Sequence, residues 1–213
     1  MLNKTLILWD WDNTLIDTFE AIYAAQNDTR VHYGMPKWTR EESKNAMNTS
    51  GRNLIRDVFG ADKAVEARAY FLACYERHAA EIQLKEGALD ILAFTKAKGF
   101  INVLASNKAG SILRNEAQTL GVFTYFARVI GAEDTHSDKP SKDFTDAAID
   151  GFMFDNIISI GDGKADIQMA HNYEDGVGIL VWTNPKTAEF EHIKPDYAFD
   201  TLDEVMDFLA TTL

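Results

Sequence analysis

"ILWDWDNTLIDT", Ile7 to Thr18, carries a short apolar run into two carboxylates, Asp10 and Asp12, with Trp9 and Trp11 interleaved. Such a run reads as a buried strand, and a carboxylate at its end is costly unless a partner offsets its charge. Alone, two aspartates at this spacing say little, because turns and helix caps use aspartate constantly. The residues that follow say more: Asn13 supports a tight turn away from the strand, and Leu15 and Ile16 return to apolar character.

Working outward, similar apolar runs recur. "LILWD" (Leu6 to Asp10), "INVLAS" (Ile101 to Ser106), "ARVIGA" (Ala127 to Ala132), "NIISIGD" (Asn156 to Asp162) and "VGILVW" (Val177 to Trp182) all read as strands. Their continuous apolarity is what parallel strands covered on both faces show. Helical patterns lie between them. "EGALDILAFTKAKG" places Leu89, Leu92 and Ala93 on one face and stops at Gly99, and "GSILRNEAQTLG" stops at Gly121. In the closing "TLDEVMDFLATTL", Leu202, Val205, Met206 and Leu209 recur with helical spacing. Strand alternating with helix predicts a doubly wound parallel α/β sheet.

One interval breaks the alternation. From Asp17 to about Gln83 no strand is evident, only helical stretches such as "TFEAIYAAQNDTR" and the alanine-rich "KAVEARAYFLACYERHAAE". A single crossover helix does not need so long a segment. The expected organisation is a core of residues 1–16 and 84–213 with an all-helical domain, residues 17–83, inserted after the first strand.

The composition narrows the function classes. Of 213 residues, 46% are hydrophobic and 25% charged, which suits a globular chain with a sizeable core. A formal net charge of −12 argues against binding a nucleic-acid backbone. Cys74 is the only cysteine, so no internal disulfide forms, and the N-terminal "LILW" is too short for a signal peptide. No segment reaches the roughly 20 apolar residues of a membrane span. These features predict a cytoplasmic protein without nucleic-acid or membrane partners. The five histidines (His32, His78, His136, His171, His192) show no metal-ligand spacing.

Three further stretches carry chemistry. In "VLASNKAGS", Ser106 and Asn107 fall at a strand end before a helix, where a hydroxyl and backbone N–H groups suit an anion. In "SDKPSKDF", Pro140 holds Lys139 extended ahead of another helix. In "SIGDGKADIQMA", Asp162 lies in the loop after a strand and Asp166 one helical turn on, carboxylates of the kind that bind hard cations. Singly, these are a helix cap, a solvated lysine and surface acids. Together they put acid at two strand ends, a hydroxyl at a third and a lysine beyond a fourth, all on one edge of one sheet. That combination is what phosphoryl transfer with Mg²⁺ requires.

"DWDNTLIDT", "SNK", "DKPS" and "GDGKAD", in this order, resemble the four motifs of the haloacid dehalogenase superfamily of phosphohydrolases. The helical insert resembles its C1 cap, and "IKPDYAFDTLDEVMDFL" resembles the end of phosphoglycolate phosphatase-like members. The resemblance implies a Rossmann-like core and an aspartyl-phosphate mechanism, with Asp10 as nucleophile and Asp12 as general acid/base. It implies Mg²⁺ held by Asp10, Asp162 and the Asp12 carbonyl, with Asp166 orienting a metal-bound water. Lys139 adds positive charge, while Ser106, Asn107 and the Trp11 backbone N–H receive the phosphoryl group.

Two positions depart from the superfamily pattern: Asn13 stands where glycine is usual, and Lys142 where a second proline often follows the lysine. Dehalogenating members lack the second aspartate, so Asp12 argues for phosphate chemistry. "MNTSGRNLIRD" (Met47 to Asp57) is the expected substrate-selecting loop, with Arg52 either a grip for a distal anion or a surface arginine between helices. The expected substrate is a small phosphorylated metabolite, phosphoglycolate-like or a sugar phosphate, acted on by a monomer or homodimer. A β-phosphoglucomutase-like activity is the alternative, weakened by Ile22 where that relative carries histidine. A non-catalytic binding module is disfavoured, since no motif residue is lost.

Overall fold

The computed structural model describes residues 4–47, 51–187 and 190–212. Six strands form one parallel sheet: β1 (Thr5–Trp9), β2 (Ile101–Ala105), β3 (Arg128–Ile130), β4 (Asn156–Gly161), β5 (Val177–Val181) and β6 (Tyr197–Phe199). Their order is β3-β2-β1-β4-β5-β6, so the winding reverses at β1, which lies between β2 and β4. A reversal of this kind opens a crevice at the carboxyl ends of the strands. Every residue of β1 is buried, as a strand with neighbours on both sides and cover on both faces must be. The five expected strands are present; β1 is shifted by one residue from its run, and the other four are shorter than theirs. β6 was not foreseen, because Tyr197 and Ala198 are exposed on an edge strand and carry no apolar run.

The chain divides into two compact units, Met1–Ile16 with Leu84–Leu213, and Asp17–Gln83. The second contains α1 (Phe19–His32), α2 (Arg40–Met47), α3 (Gly51–Phe59) and α4 (Ala64–His78). Ala21 and Ala25 of α1 and Ala67 and Cys74 of α4 are buried, small side chains that let the two helices pack closely. The connection from α1 to α2 is tied down by polar bonds. Asn27 accepts from the Trp38 backbone N–H at 2.7 Å and donates to its carbonyl at 3.2 Å, and the Arg30 guanidinium stacks over the Trp38 ring at 4.2 Å. The expected loop from Met47 to Asp57 is helical from Gly51 onward, because Leu54, Ile55 and Val58 return with helical spacing. Met47 ends α2, and residues 48–50 lie outside the described residues.

In the core unit the sheet is flanked by α5 (Ala88–Ala97), α6 (Gly110–Thr119), α7 (Lys142–Ile149), α8 (Lys164–His171) and α9 (Leu202–Thr212). Leu6, Leu8, Val103, Ile130, Phe144, Ile157 and Met169 form one buried cluster. Burying each large apolar side chain contributes about 1.5–3 kcal/mol. α5 ends at Gly99 with φ 78°, the left-handed cap expected there. Its buried face differs from the expected one: Ala88, Ile91, Leu92 and Thr95 are buried, whereas Leu89 and Ala93 are exposed. Thr95 is hidden because its hydroxyl donates within the helix and accepts from Asn102 Nδ2 at 3.0 Å, while Asn102 Oδ1 accepts from Trp9 Nε1 at 3.0 Å. Polar residues enter this core as a satisfied chain.

The segments leading out of and back into the core are neighbours. Ile16 and Leu84 form an antiparallel bridge, and the Lys85 N–H donates to the Leu15 carbonyl at 2.9 Å. Near β6, Asp196 Oδ2 accepts from the Gly178 N–H at 2.7 Å and pairs with His171 Nε2 at 3.0 Å. Burial acts to raise this carboxyl, but the Gly178 and His171 contacts outweigh it and hold it below the usual carboxylate range. The pair is open to solvent, so its charge is screened, and Asp196→Ala is expected to cost about 1 kcal/mol at neutral pH, read as a lower urea midpoint. A depressed carboxyl stabilises the fold fully above about pH 4 and ceases to as pH falls through its folded value. The gap between wild type and variant should therefore close only in acid; a gap that is constant down to strongly acidic pH would contradict the assignment.

Candidate active site

The carboxyl ends of β1, β2 and β4 bring the motif residues to one edge. Asp10 directly follows β1, and its backbone N–H donates to Ile160 of β4 at 2.9 Å, which extends the strand pairing into the site. Ser106 directly follows β2 and donates its N–H to Ile130 of β3 at 3.1 Å. Asp162 directly follows β4, and Asp166 lies in the first turn of α8. Lys139 arrives on the loop between β3 and α7. Its Nζ lies 2.6 Å from Asp10 Oδ1 and 2.7 Å from Asp166 Oδ1. Asp10, Lys139 and Asp166 are 8%, 7% and 4% exposed, so the bridging ammonium works in a nearly dry setting where an unpaired charge is costly.

Oxygens of Asp10, Asp162 and Asp166 lie within 4.8 Å of one another. Burial pushes the Asp10 carboxyl up to about 7, with Lys139 opposing and the Asp166 and Asp12 charges adding to the rise. Asp162 is raised well above the ordinary carboxylate range, first by burial and then by Asp10 and Asp166. For Lys139, burial disfavours the charge but Asp10 and Asp166 outweigh it, so the ammonium is held more firmly than usual. One lysine does not neutralise three clustered carboxylates. An all-oxygen donor set with surplus negative charge fits a hard divalent cation.

The backbone prepares this arrangement. Asn13 takes φ 61°, a left-handed turn that asparagine tolerates better than most residues, and it occupies the position where glycine was the usual expectation. The turn brings Thr14 back, so that its hydroxyl donates to Asp10 Oδ2 at 2.8 Å. Gly161 leaves room for Asp166: a Cβ at position 161 would sit 2.1 Å from the Asp166 carboxyl carbon. Lys142, in place of the second proline, opens α7 and pairs with Asp146 at 2.6 Å.

A model of the haloacid dehalogenase-like hydrolase family matches residues 7–177, which include every residue of this cluster. This chain belongs to the haloacid dehalogenase-like hydrolases. Among relatives, it is 24% identical over 207 residues to a pyrophosphatase PpaX of Bacillus velezensis, covering 95% of this chain and 94% of that one. It is 25% identical over 181 residues to a phosphoglycolate phosphatase of Salmonella choleraesuis, covering 81% and 70%. The fold is shared with a haloacid dehalogenase-like family hydrolase from Streptococcus pneumoniae (TM-score 0.82, 21% identity, 98% and 100% coverage) and with a hydrolase from Pseudomonas syringae (TM-score 0.81, 18% identity, 98% and 99% coverage).

In this haloacid dehalogenase-like hydrolase the remaining expected residues have distinct surroundings. Both ends of the Asn107 amide are taken by the Lys139 backbone: its Oδ1 accepts from the Lys139 N–H at 2.7 Å and its Nδ2 donates to the Lys139 carbonyl at 3.3 Å. Asn107 thus pins the segment that delivers the lysine. Ser106 Oγ accepts from the Lys108 N–H at 3.1 Å. The Asp12 side chain lies outside the three-carboxylate cluster and pairs with Lys108 Nζ at 2.7 Å. Arg52 is exposed in the first turn of α3, in the helical unit.

Four residues near the cluster were not singled out from sequence. Thr14 holds Asp10, and its backbone carbonyl accepts from Trp182 Nε1 at 3.1 Å. Trp182 follows β5 with φ 65°, and the Lys85 ammonium sits 4.3 Å from its ring centroid. Lys108 and Glu116 pair at 2.7 Å behind Asp12. Lys108 is inside the "SNK" stretch and Thr14 inside "DWDNT", so both had a local signal. Glu116 and Trp182 reach the site only through the tertiary fold.

Proposed function

We propose that this hydrolase is a Mg²⁺-dependent phosphatase of small phosphorylated metabolites that works through a phosphorylated Asp10. The observation that carries the reading is the buried Lys139 ammonium bridging Asp10 and Asp166, with the Asp162 carboxylate beside them. Asp10, Asp162 and Asp166, with the Asp12 carbonyl, would hold the ion, which when bound offsets the negative charge shared by carboxylates and phosphate.

Asp10 attacks phosphorus; the new bond to its carboxylate oxygen forms as the bond to the leaving oxygen breaks. Asp12, protonated for this step, gives its proton to that leaving oxygen. It then takes one from the water that attacks the phosphorylated Asp10, which releases phosphate and restores both carboxyls. Lys139 holds Asp10 in line and balances charge on the phosphoryl oxygens. The Ser106 hydroxyl, whose oxygen accepts from Lys108, has its own proton to give to those oxygens, alongside the Trp11 backbone N–H. Asn107 acts by fixing the Lys139 segment. Arg52 is assigned to the substrate's distal anion, and its test is an Arg52→Ala variant whose KM rises for substrates that carry a second anionic group.

Relatives bearing the names pyrophosphatase and phosphoglycolate phosphatase support phosphate-bearing substrates. The test is phosphate release from a panel containing phosphoglycolate, pyrophosphate, sugar phosphates and β-glucose 1-phosphate, with Mg²⁺ and with excess chelator. Release is expected with Mg²⁺ and should fall by about 10²-fold or more when the ion is removed. Chelator-resistant release would sink the metal assignment. Formation of glucose 6-phosphate from β-glucose 1-phosphate without net release would replace hydrolysis with mutase chemistry.

A further inference from the structure

The side chains of Trp11, Lys108 and Glu116 have no part in the chemistry above, yet they form a buried chain ending on Asp12. Trp11 Nε1 donates to Glu116 Oε2 at 2.7 Å, Lys108 Nζ reaches the same oxygen at 2.7 Å, and Lys108 Nζ also reaches Asp12 Oδ1 at 2.7 Å. Trp11 is fully buried, and the Lys108 and Glu116 side chains are 7% and 10% exposed. In so dry a setting a lysine between Glu116 and Asp12 has little freedom, because leaving Glu116 would strand a charge and leaving Asp12 Oδ1 would forfeit a buried hydrogen bond. Glu116 is itself anchored, since its neighbours Leu113 and Ala117 in α6 are fully buried. The chain thus runs from the backbone beside Asp12, through a helix of the core, and back to the Asp12 carboxyl. A purely apolar residue at position 11 would fill the same space but would remove the indole N–H that Glu116 Oε2 accepts from.

The geometry points to a positioning device: the Trp11–Glu116–Lys108 chain fixes where the Asp12 carboxyl sits, and so sets how well its proton reaches the leaving oxygen. The inference rests on Asp12 as the acid that serves the departing group. Proton transfer needs the two oxygens within hydrogen-bond reach, and misplacement of about 1 Å is costly. The step is the one already given: the Asp12 O–H bond breaks as the leaving oxygen gains the proton and loses phosphorus. Lys108, Glu116 and the Trp11 indole are given no role on the phosphoryl group or the leaving oxygen and act only through Asp12.

Position can be separated from mere folding by the leaving group. An alkoxide needs a proton to depart, whereas p-nitrophenolate does not. Lys108→Met and Glu116→Gln should be compared with wild type by kcat/KM, which covers the steps up to departure of the leaving group. With an alkyl phosphate, kcat/KM should fall about 10- to 100-fold; with p-nitrophenyl phosphate it should stay within about threefold. Equal losses on both substrates, or no loss on either, would overturn the inference. A crystal structure of the Lys108→Met variant supplies a second readout. An Asp12 carboxyl that has moved or spread over several rotamers supports positioning, and an unmoved one overturns it. If wild type cleaves neither ester, the reading of Asp10 and Asp12 as catalysts fails, and that structure still judges the positioning.

Discussion

Replacing Asp10 with asparagine is expected to abolish phosphate release, by at least about 10⁴-fold, while the protein stays folded. Asparagine keeps the shape of the side chain: its oxygen can accept from Lys139, and its NH2 can donate to a reoriented Thr14 hydroxyl. What it loses is the carboxylate proposed to attack phosphorus, and an amide oxygen is too weak a nucleophile to replace it. Stability should hold or rise, because burial and the Asp166 charge already push the Asp10 carboxyl up to about 7. Removing that charge leaves Lys139 paired with Asp166 at 2.7 Å. Thermal melting by circular dichroism and a phosphate assay on one preparation give both numbers. Near-normal turnover in a well-folded variant would remove Asp10 as the nucleophile.

Lys139→Met should damage both stability and activity. The ammonium is buried between Asp10 and Asp166, and its loss leaves a carboxylate cluster without that counter-charge. Breaking a buried pair by deleting one partner costs about 3–5 kcal/mol. At roughly 2–4 °C per kcal/mol for a chain of this size, the metal-free melting temperature should fall by about 10 °C. Mg²⁺ should restore part of that loss, since an ion that binds the folded state stabilises it by mass action. Turnover should stay low even with the ion present, because the ammonium proposed to hold Asp10 in line is gone. The double variant Asp10→Asn/Lys139→Met should recover stability relative to Lys139→Met alone. If Lys139→Met melts with wild type, the buried bridge contributes nothing and the charge argument is wrong.

Much of this architecture is written in local patterns. β1, β2, β4 and β5 are largely apolar runs, as strands covered on both faces are, and Gly99 and Gly121 mark helix ends with φ 78° and 74°. β6 escaped because Tyr197 and Ala198 are exposed on a sheet edge, and only the fold shows that the Tyr197 and Phe199 rings pack against Phe208 of α9. The face of α5 was misjudged because Thr95 reads as polar, although Asn102 satisfies it inside the core. α3 was read as a loop because Gly51 and Asn53 interrupt its pattern while Leu54, Ile55 and Val58 carry the helical period.

The site divides in the same way. Asp10, Asp162, Asp166 and Lys139 stand in short motifs at strand ends, and the fold brings their charges within a few bond lengths. The partner of Asp12 could not be read so directly. Lys108 stands in a motif, but the contact between Trp11 and Glu116 joins residues 105 positions apart. Nor could sequence show that Trp182 would donate to the Thr14 carbonyl from a separate strand end. Periodicity reports which face is buried, and it is silent on which long polar side chains meet there.

The bridge between Ile16 and Leu84 bears on how such a chain can change over generations. Exit and return points are bonded neighbours outside the sheet, so the core unit is joined up before the intervening residues begin. As far as the strands are concerned, the interval could lengthen, shorten or be exchanged by recombination without stretching a single rung. Descent can therefore rewrite residues 17–83 at one tempo and preserve the acidic edge at another. The seam between the two tempos is a pair of backbone hydrogen-bonding segments that depend on no particular side chain.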